Sequence, residues 1–348
     1  MLNFKKLKGL IGYLPAFKWR DIQSMIYKVK LSVHDIKIKL ANLSKTNFDL
    51  GLYHFEKGNI SDAIFRFKLL RRFDNGYEDL DYLLGRCYLE QSKYDKAKFF
   101  LNMYIASNKP KLKEEAIYCM KIVDNDVNNI KSIPAGIVNH RLNQEFDFYA
   151  KAAQAFKKAD SKNIIYDNII EALQNNEKIF NYNMLELGCG SGLVPYILRK
   201  NQLLHFVLGV DDNENMVDYC KELAVGSDKV YNAVYHQNIE DFLASKSQSD
   251  SQFDIILGMN LTSYSMDSES LLIRLKDLIN KNGVMVVGFY SREQNEDCAF
   301  ERKLERFVYN ENYVAEIAKK CGWQVIKQET IPIKKEKYSQ VIMTLKRN

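Results

Sequence analysis

Three glycines fall within five residues at Gly188, Gly190 and Gly192, between the apolar run Met184 to Leu187 and a helical pattern that begins at Leu193. The chain has only 16 glycines among 348 residues, so their concentration here marks a backbone that needs left-handed dihedrals or close approach to a ligand. A glycine turn leading from a strand into a helix is the ligand-binding corner of an open parallel sheet, where a ligand lies across the carboxyl ends of the strands. The spacing is Gly-x-Gly-x-Gly. A dinucleotide turn, whose helix N-terminus receives a pyrophosphate, would place its third glycine where this chain has Leu193. S-adenosylmethionine, a ligand without phosphate, fits the spacing better.

The rest of the second half agrees with such a sheet. Apolar runs at Met184 to Leu187, Phe206 to Val210, Val230 to Tyr235, Phe253 to Leu257 and Val284 to Phe289 are separated by helical patterns. That alternation predicts a parallel sheet covered by helices on both faces. Asn282-Gly283 reads as a helix stop just before the fifth run. A helix around Tyr313 to Lys320 precedes two further apolar stretches joined through Lys334 to Lys337, which predicts a closing antiparallel hairpin.

The first half is different in kind. The segments beginning at Leu50 and Leu84 superpose at an offset of 34 residues, pairing Leu50 with Leu84, Gly51 with Gly85, Ala63 with Ala97 and Phe67 with Leu101. That period and residue pattern resemble two tetratricopeptide repeats, at about 47–80 and 81–113, in which a small glycine lets the partner helix approach. Two such units need capping. Residues 20–44 and 112–123 are the expected capping helices, and the Asn/Asp-rich stretch Asp124 to Gly136 reads as a linker. The expected domains are 1–133, all-α, and 134–348, α/β.

Charge is unevenly placed. Residues 1–45 carry ten Lys/Arg and two acids, a net +8, while the remainder of the chain is slightly acidic. This basic, apolar-interleaved start suits a docking helix, a peripheral contact at the inner membrane surface, or less well a nucleic-acid arm. The six cysteines are scattered without Cys-x-x-Cys or neighbouring histidines, so no metal site or disulfide framework is indicated and a cytoplasmic location is expected.

The residues around the glycine turn carry a resemblance. Asp211 closes the second run in "FVLGVDDNENMVDYC", placed to accept ribose hydroxyls, and "HQNIEDF" follows the third run, where a polar side chain meets adenine. With the final hairpin, residues from about 140 to 347 resemble a class I S-adenosylmethionine-dependent methyltransferase, a Rossmann-like seven-stranded sheet. The added repeats make the chain similar to bacterial tetratricopeptide-containing methyltransferases, as do "EFDFYAKAAQAF" from Glu145 and "RFVYNENYVAEIAKKCGW" from Arg306. The resemblance implies Glu186, Gly188, Gly190 and Gly192 for the cofactor loop and Asp211 for the ribose. It implies Asp212, Met216 and Asn238 beside the adenine, Asn238 standing where the family commonly has Asp, and Tyr149 over the methionine end.

Methyl transfer needs orientation more than a fixed catalytic group, because the cofactor brings its own electrophile. An oxygen or nitrogen acceptor would benefit from a nearby base, and His236, Asn260 and Tyr264 are the candidates, with Arg306 or Tyr309 to hold a charged acceptor. The expected activity is methyl transfer, with the repeats recruiting a protein partner or protein substrate. The alternatives are a small-molecule or glycan acceptor at a membrane surface, and a scaffold that binds cofactor without turnover. Nucleic acid is not expected, since the second half is not basic.

Overall fold

Apolar β-branched runs form strands here because both faces of the sheet are covered. In the computed structural model, which describes residues 29, 42–73, 76–107, 110–159, 163–173, 180–246, 252–264, 267–293, 296–302, 304–333 and 336–347, the chain divides by its internal contacts into two units, 1–100 and 101–348.

The first unit holds α1 (42–56), α2 (Ile60–Phe73), α3 (Leu80–Glu90) and the start of α4 (Tyr94–Ile105). Residues paired by the 34-residue offset are buried alike: Ala63 and Ala97 are both fully buried, as are Phe67 and Leu101. A Cβ on Gly51 would stand 2.5 Å from the Phe67 ring, so only glycine lets that ring seat against α1.

In the second unit, α5 (Lys113–Val123) is followed by a 3-10 turn (Val127–Asn129), a 25-residue helix α6 (Ala135–Ala159) and α7 (Ile164–Leu173). The division at 100/101 differs from the expected 133/134. The polar composition of Asp124 to Gly136 suggested a linker, yet Ile130 and Ile133 are buried and the Ile133 N–H donates to the Tyr264 carbonyl at 3.0 Å.

The main sheet follows. Its strands are β1 (Tyr182–Leu187), β2 (Leu204–Asp211), β5 (Ala233–His236), β6 (Phe253–Met259), β7 (Ile279–Ser291), β8 (Cys298–Glu301), β9 (Arg306–Tyr309), β10 (Trp323–Pro332) and β11 (Ser339–Arg347); β3 (Ala224–Val225) and β4 (Asp228–Lys229) form a separate small pair. The intervening helices are α8 (Leu193–Lys200), α9 (Glu214–Glu222), α10 (Ile239–Ala244), α11 (Ser268–Leu278) and α12 (Glu311–Lys320). The continuous path runs β10-β11-β7-β6-β1-β2-β5, seven strands, with β8 and β9 branching from β7. β5, β2, β1, β6 and β7 are parallel, and β11 inserts antiparallel between β7 and β10.

Met184, Val207, Ile255, Val284 and Ile342 belong to the core with α7, α8 and α9. The alternate residues Leu185, Leu208, Ile256, Met285 and Met343 are equally buried, which explains why these strands read as unbroken apolar runs. The expected helix stop at Asn282-Gly283 is instead a bulge inside β7. The helix ends at Leu278, Asn282 has φ +69°, and pairing with β6 jumps from Ile279 opposite Phe253 to Val284 opposite Ile255. The third run gives strand only from Ala233, and the β8/β9 hairpin carries no alternation that marked it in the sequence.

Candidate functional site

Beyond β1 the chain turns on left-handed glycines: Gly188, Gly190 and Gly192 have φ of +68°, +47° and +61°. The Gly188 N–H donates to the Val210 carbonyl at 2.8 Å, tying the turn to β2, and the Gly192 N–H donates to the Cys189 carbonyl at 2.9 Å before α8 begins. Space adds a second constraint at Gly192, where a Cβ would come within 2.7 Å of Leu223 and 2.8 Å of the Tyr231 hydroxyl.

Carboxylates surround this turn. Glu186 is 5 % exposed and accepts a hydrogen bond from the Tyr231 hydroxyl. Burial pushes its pKa up to about 8, with the neighbouring Asp211 adding to the rise and the Tyr231 hydrogen bond opposing it. Asp211, at the end of β2, accepts from the Gly190 N–H at 3.0 Å on one oxygen and from the Asn213 N–H at 2.9 Å on the other. Burial raises its pKa and those two amides hold it back. Asp212 beside it is pushed up to about 6, chiefly by burial and then by Asp211. The Gly190 amide is thus turned toward a carboxylate, not toward a phosphate.

These groups open into one cavity of about 640 Å³ within the second unit. It brings together Glu186, the three glycines, Asp211, Asp212, Met216 and Asn238, all anticipated from sequence. Met216 is buried on α9, positioned by the Asn213 cap that accepts its N–H at 3.2 Å. Asn238 caps α10 by accepting the Glu240 N–H at 2.9 Å and lines the cavity. The Tyr149 side chain lies outside the described residues.

Asn260 and Tyr264 line the same cavity after β6. Asn260 has φ +62° and accepts from the Gln340 side chain at 3.1 Å. Tyr264 is held protonated by burial, which pushes its pKa up to about 12, and carries the Arg306 guanidinium 5.0 Å over its ring. Buried Arg306 also lines the cavity and pairs with Glu145 of α6 at 3.3 Å. Two candidates lie elsewhere. His236 is exposed with Nε2 3.1 Å from the Asp212 carbonyl and does not line the cavity, because β5 ends with its ring turned out. Tyr309 is fully buried behind the wall, donating to the Thr262 carbonyl at 3.0 Å and packing on Phe289.

Sequence reading missed the far wall. Val138 and Leu142 of α6 line the cavity, and Asn143 of the same helix accepts from both Asn213 and Asn215 at 2.8 Å. Sequence reading of this region begins at Glu145 and rests on resemblance, so it does not single out Val138, Leu142 or Asn143. Tyr231, which fixes Glu186 from 45 positions away, had no local signature at all. Among the described residues no group of three or more His, Cys, Asp or Glu could hold a metal ion.

Comparison with known proteins places a family model for a methyltransferase domain on residues 179–342, a little under half of the chain and the whole of the glycine turn and its acidic surround. No curated protein matches the chain. Among solved structures, magnesium protoporphyrin IX methyltransferase from Synechocystis PCC 6803 with bound S-adenosylhomocysteine is similar at 13% identity and TM-score 0.40, covering 60% of this chain and 99% of that one. A phosphoethanolamine N-methyltransferase from Haemonchus contortus is similar at 12% identity and TM-score 0.43, covering 59% of each chain.

Proposed function

We infer, from a chain whose residues 179–342 form a methyltransferase domain, an enzyme that takes its methyl group from S-adenosylmethionine. The observation that carries the cofactor reading is the acidic, phosphate-averse turn. Glu186, Asp211 and Asp212 share one cavity with the glycines, and the Gly190 amide already donates to Asp211. A cavity lined this way attracts a cation and repels a pyrophosphate. Its volume of about 640 Å³ suits a ligand of this size.

Bound there, S-adenosylmethionine supplies an electrophilic methyl carbon on a positive sulfur. The chain's own residues bind and orient. Asp211 would accept from the ribose hydroxyls, Glu186, ionised on binding, would offer charge to the amino-acid portion, and Met216 and Asn238 would flank the base. Asn260, Tyr264 and Arg306, on the β6 side, bound the space left for an oxygen or nitrogen acceptor. Tyr264, with its pKa near 12, serves there as a hydrogen-bond donor at neutral pH.

Residues at about 47–80 and 81–113 are read as two tetratricopeptide repeats that recruit a protein partner or substrate, supported by the 34-residue register of buried Ala63 and Ala97. A second reading, an acceptor at an anionic membrane surface, is favoured by the net +8 of residues 1–45.

The test is calorimetric titration with S-adenosylmethionine, S-adenosylhomocysteine and NAD in parallel. Micromolar binding of the first two, lost in Asp211→Ala, supports the reading. Tighter binding of NAD would overturn it. Radiolabelled methyl transfer into fractionated lysate then separates protein acceptors from lipid-linked and small-molecule ones.

A further inference from the structure

The first unit carries a cluster that the cofactor site does not use. Tyr88 of α3 and Phe100 of α4 stack with ring centroids 5.6 Å apart and planes 11° from parallel, and Phe99 meets Phe100 edge-on at 5.1 Å. Three cations converge on these rings from two helices. Lys68 of α2 and Lys96 of α4 lie 5.5 and 5.6 Å from the Tyr88 centroid, and Arg71 of α2 lies 5.2 Å from that of Phe100.

Arg71 is neutralised by Asp81 at 2.6 Å. Lys68 and Lys96 meet no carboxylate among the described residues, so two ammonium groups of like sign are gathered on one ring with only its π face to offset them. Both are exposed and carry the same sign, so a carboxylate within reach of the two would be attracted by both. Beside them, Phe99 leaves 56% of its surface in water, an apolar contact next to the two charges.

We propose that α2, α3 and α4 form here a docking site for an acidic segment of a partner protein, its carboxylates received by Lys68 and Lys96 and a neighbouring apolar side chain by Phe99. The proposal deepens, and rests on, the reading of this unit as a recruiter of protein. Charge complementarity selects the occupant: two unpaired cations match one or two carboxylates. A single exposed ring, with Tyr88 and Phe100 already stacked on each other, is a poor platform for successive bases.

The experiment uses the full chain and a fluorescein-labelled octapeptide alternating Glu and Leu, with an octapeptide alternating Lys and Leu, an eight-residue oligouridine and phosphatidylglycerol vesicles as comparators. The expected result is binding of the Glu/Leu peptide that weakens several-fold between 50 and 300 mM salt. The double variant Lys68→Glu/Lys96→Glu should weaken it about tenfold or more, while Lys68→Arg/Lys96→Arg retains it. Circular dichroism of the variants verifies folding, since both lysines are exposed. Absence of binding, indifference to the charge reversal, or tighter binding of the oligouridine or the vesicles overturns the proposal. Titration of S-adenosylmethionine on the same samples keeps the two readings apart: lost cofactor binding with intact peptide binding sinks the enzymatic reading alone.

Discussion

Glu186 shows how one buried side chain couples ligand and pH. Its pKa near 8 lies above the ordinary carboxylate value, so the folded, unliganded protein binds more protons than the unfolded chain between about pH 4.5 and 8. Stability contributed by this group is therefore present at low pH and lost as pH rises through that window. Glu186→Gln should raise the melting temperature by roughly 5 °C at pH 8 and hardly at pH 5, read by scanning calorimetry. A cationic ligand prefers the ionised form, so S-adenosylmethionine should bind more tightly as pH rises from about 6 to 8, with proton release on binding that Glu186→Gln abolishes; buffers of different ionisation heat measure it. The glycines separate two causes. Gly188→Ala makes only an ordinary contact, with Leu261 3.8 Å away, and should cost about 1 kcal/mol for its positive φ. Gly192→Ala adds contacts of 2.7 and 2.8 Å and should cost about 3 kcal/mol in urea unfolding, displacing Tyr231 from Glu186.

Helix α6 makes three polar contacts within little more than one turn: Arg141 to Glu305 at 2.6 Å, Asn143 to Asn213 and Asn215 at 2.8 Å, and Glu145 to Arg306 at 3.3 Å. Its apolar side, Val138 and Leu142, lines the cavity. Asn143→Leu removes the shared acceptor of two asparagines on the α9 turn. It should raise the dissociation constant for S-adenosylmethionine by about threefold to tenfold, mainly through faster release in stopped-flow, with little change in melting temperature. The stretch from Glu145 stands out by resemblance, with Tyr149 expected over the methionine end; that Asn143, two residues earlier, ties the helix to the α9 turn had no sequence signal, because helical period reports a buried face and not what buries it.

At the scale of the whole chain the last strand completes the sheet. β11 lies between β7 and β10, pairing Val341 with Phe289 on one side and with Thr330 on the other, so the central sheet waits for the final residues. A chain ending at Ile333 should leave β7 with an open apolar edge, aggregate on expression and fail to bind S-adenosylmethionine, as light scattering and titration would show. The hairpin, the five parallel strands, the glycine turn and the carboxylate at the end of β2 were all readable, since each is written in local period, turn chemistry and spacing. His236 and Tyr309 were misplaced as cavity residues because sequence position at a strand end does not say which way a ring turns. The sequence by itself determined the order of elements and the left-handed turn, which depend on neighbours a few residues apart. Only the tertiary structure decided that Tyr231 pins Glu186, that α6 lines the cavity and that Lys68 reaches the Tyr88 ring, because those pairings join residues tens of positions apart through packing that no local pattern records.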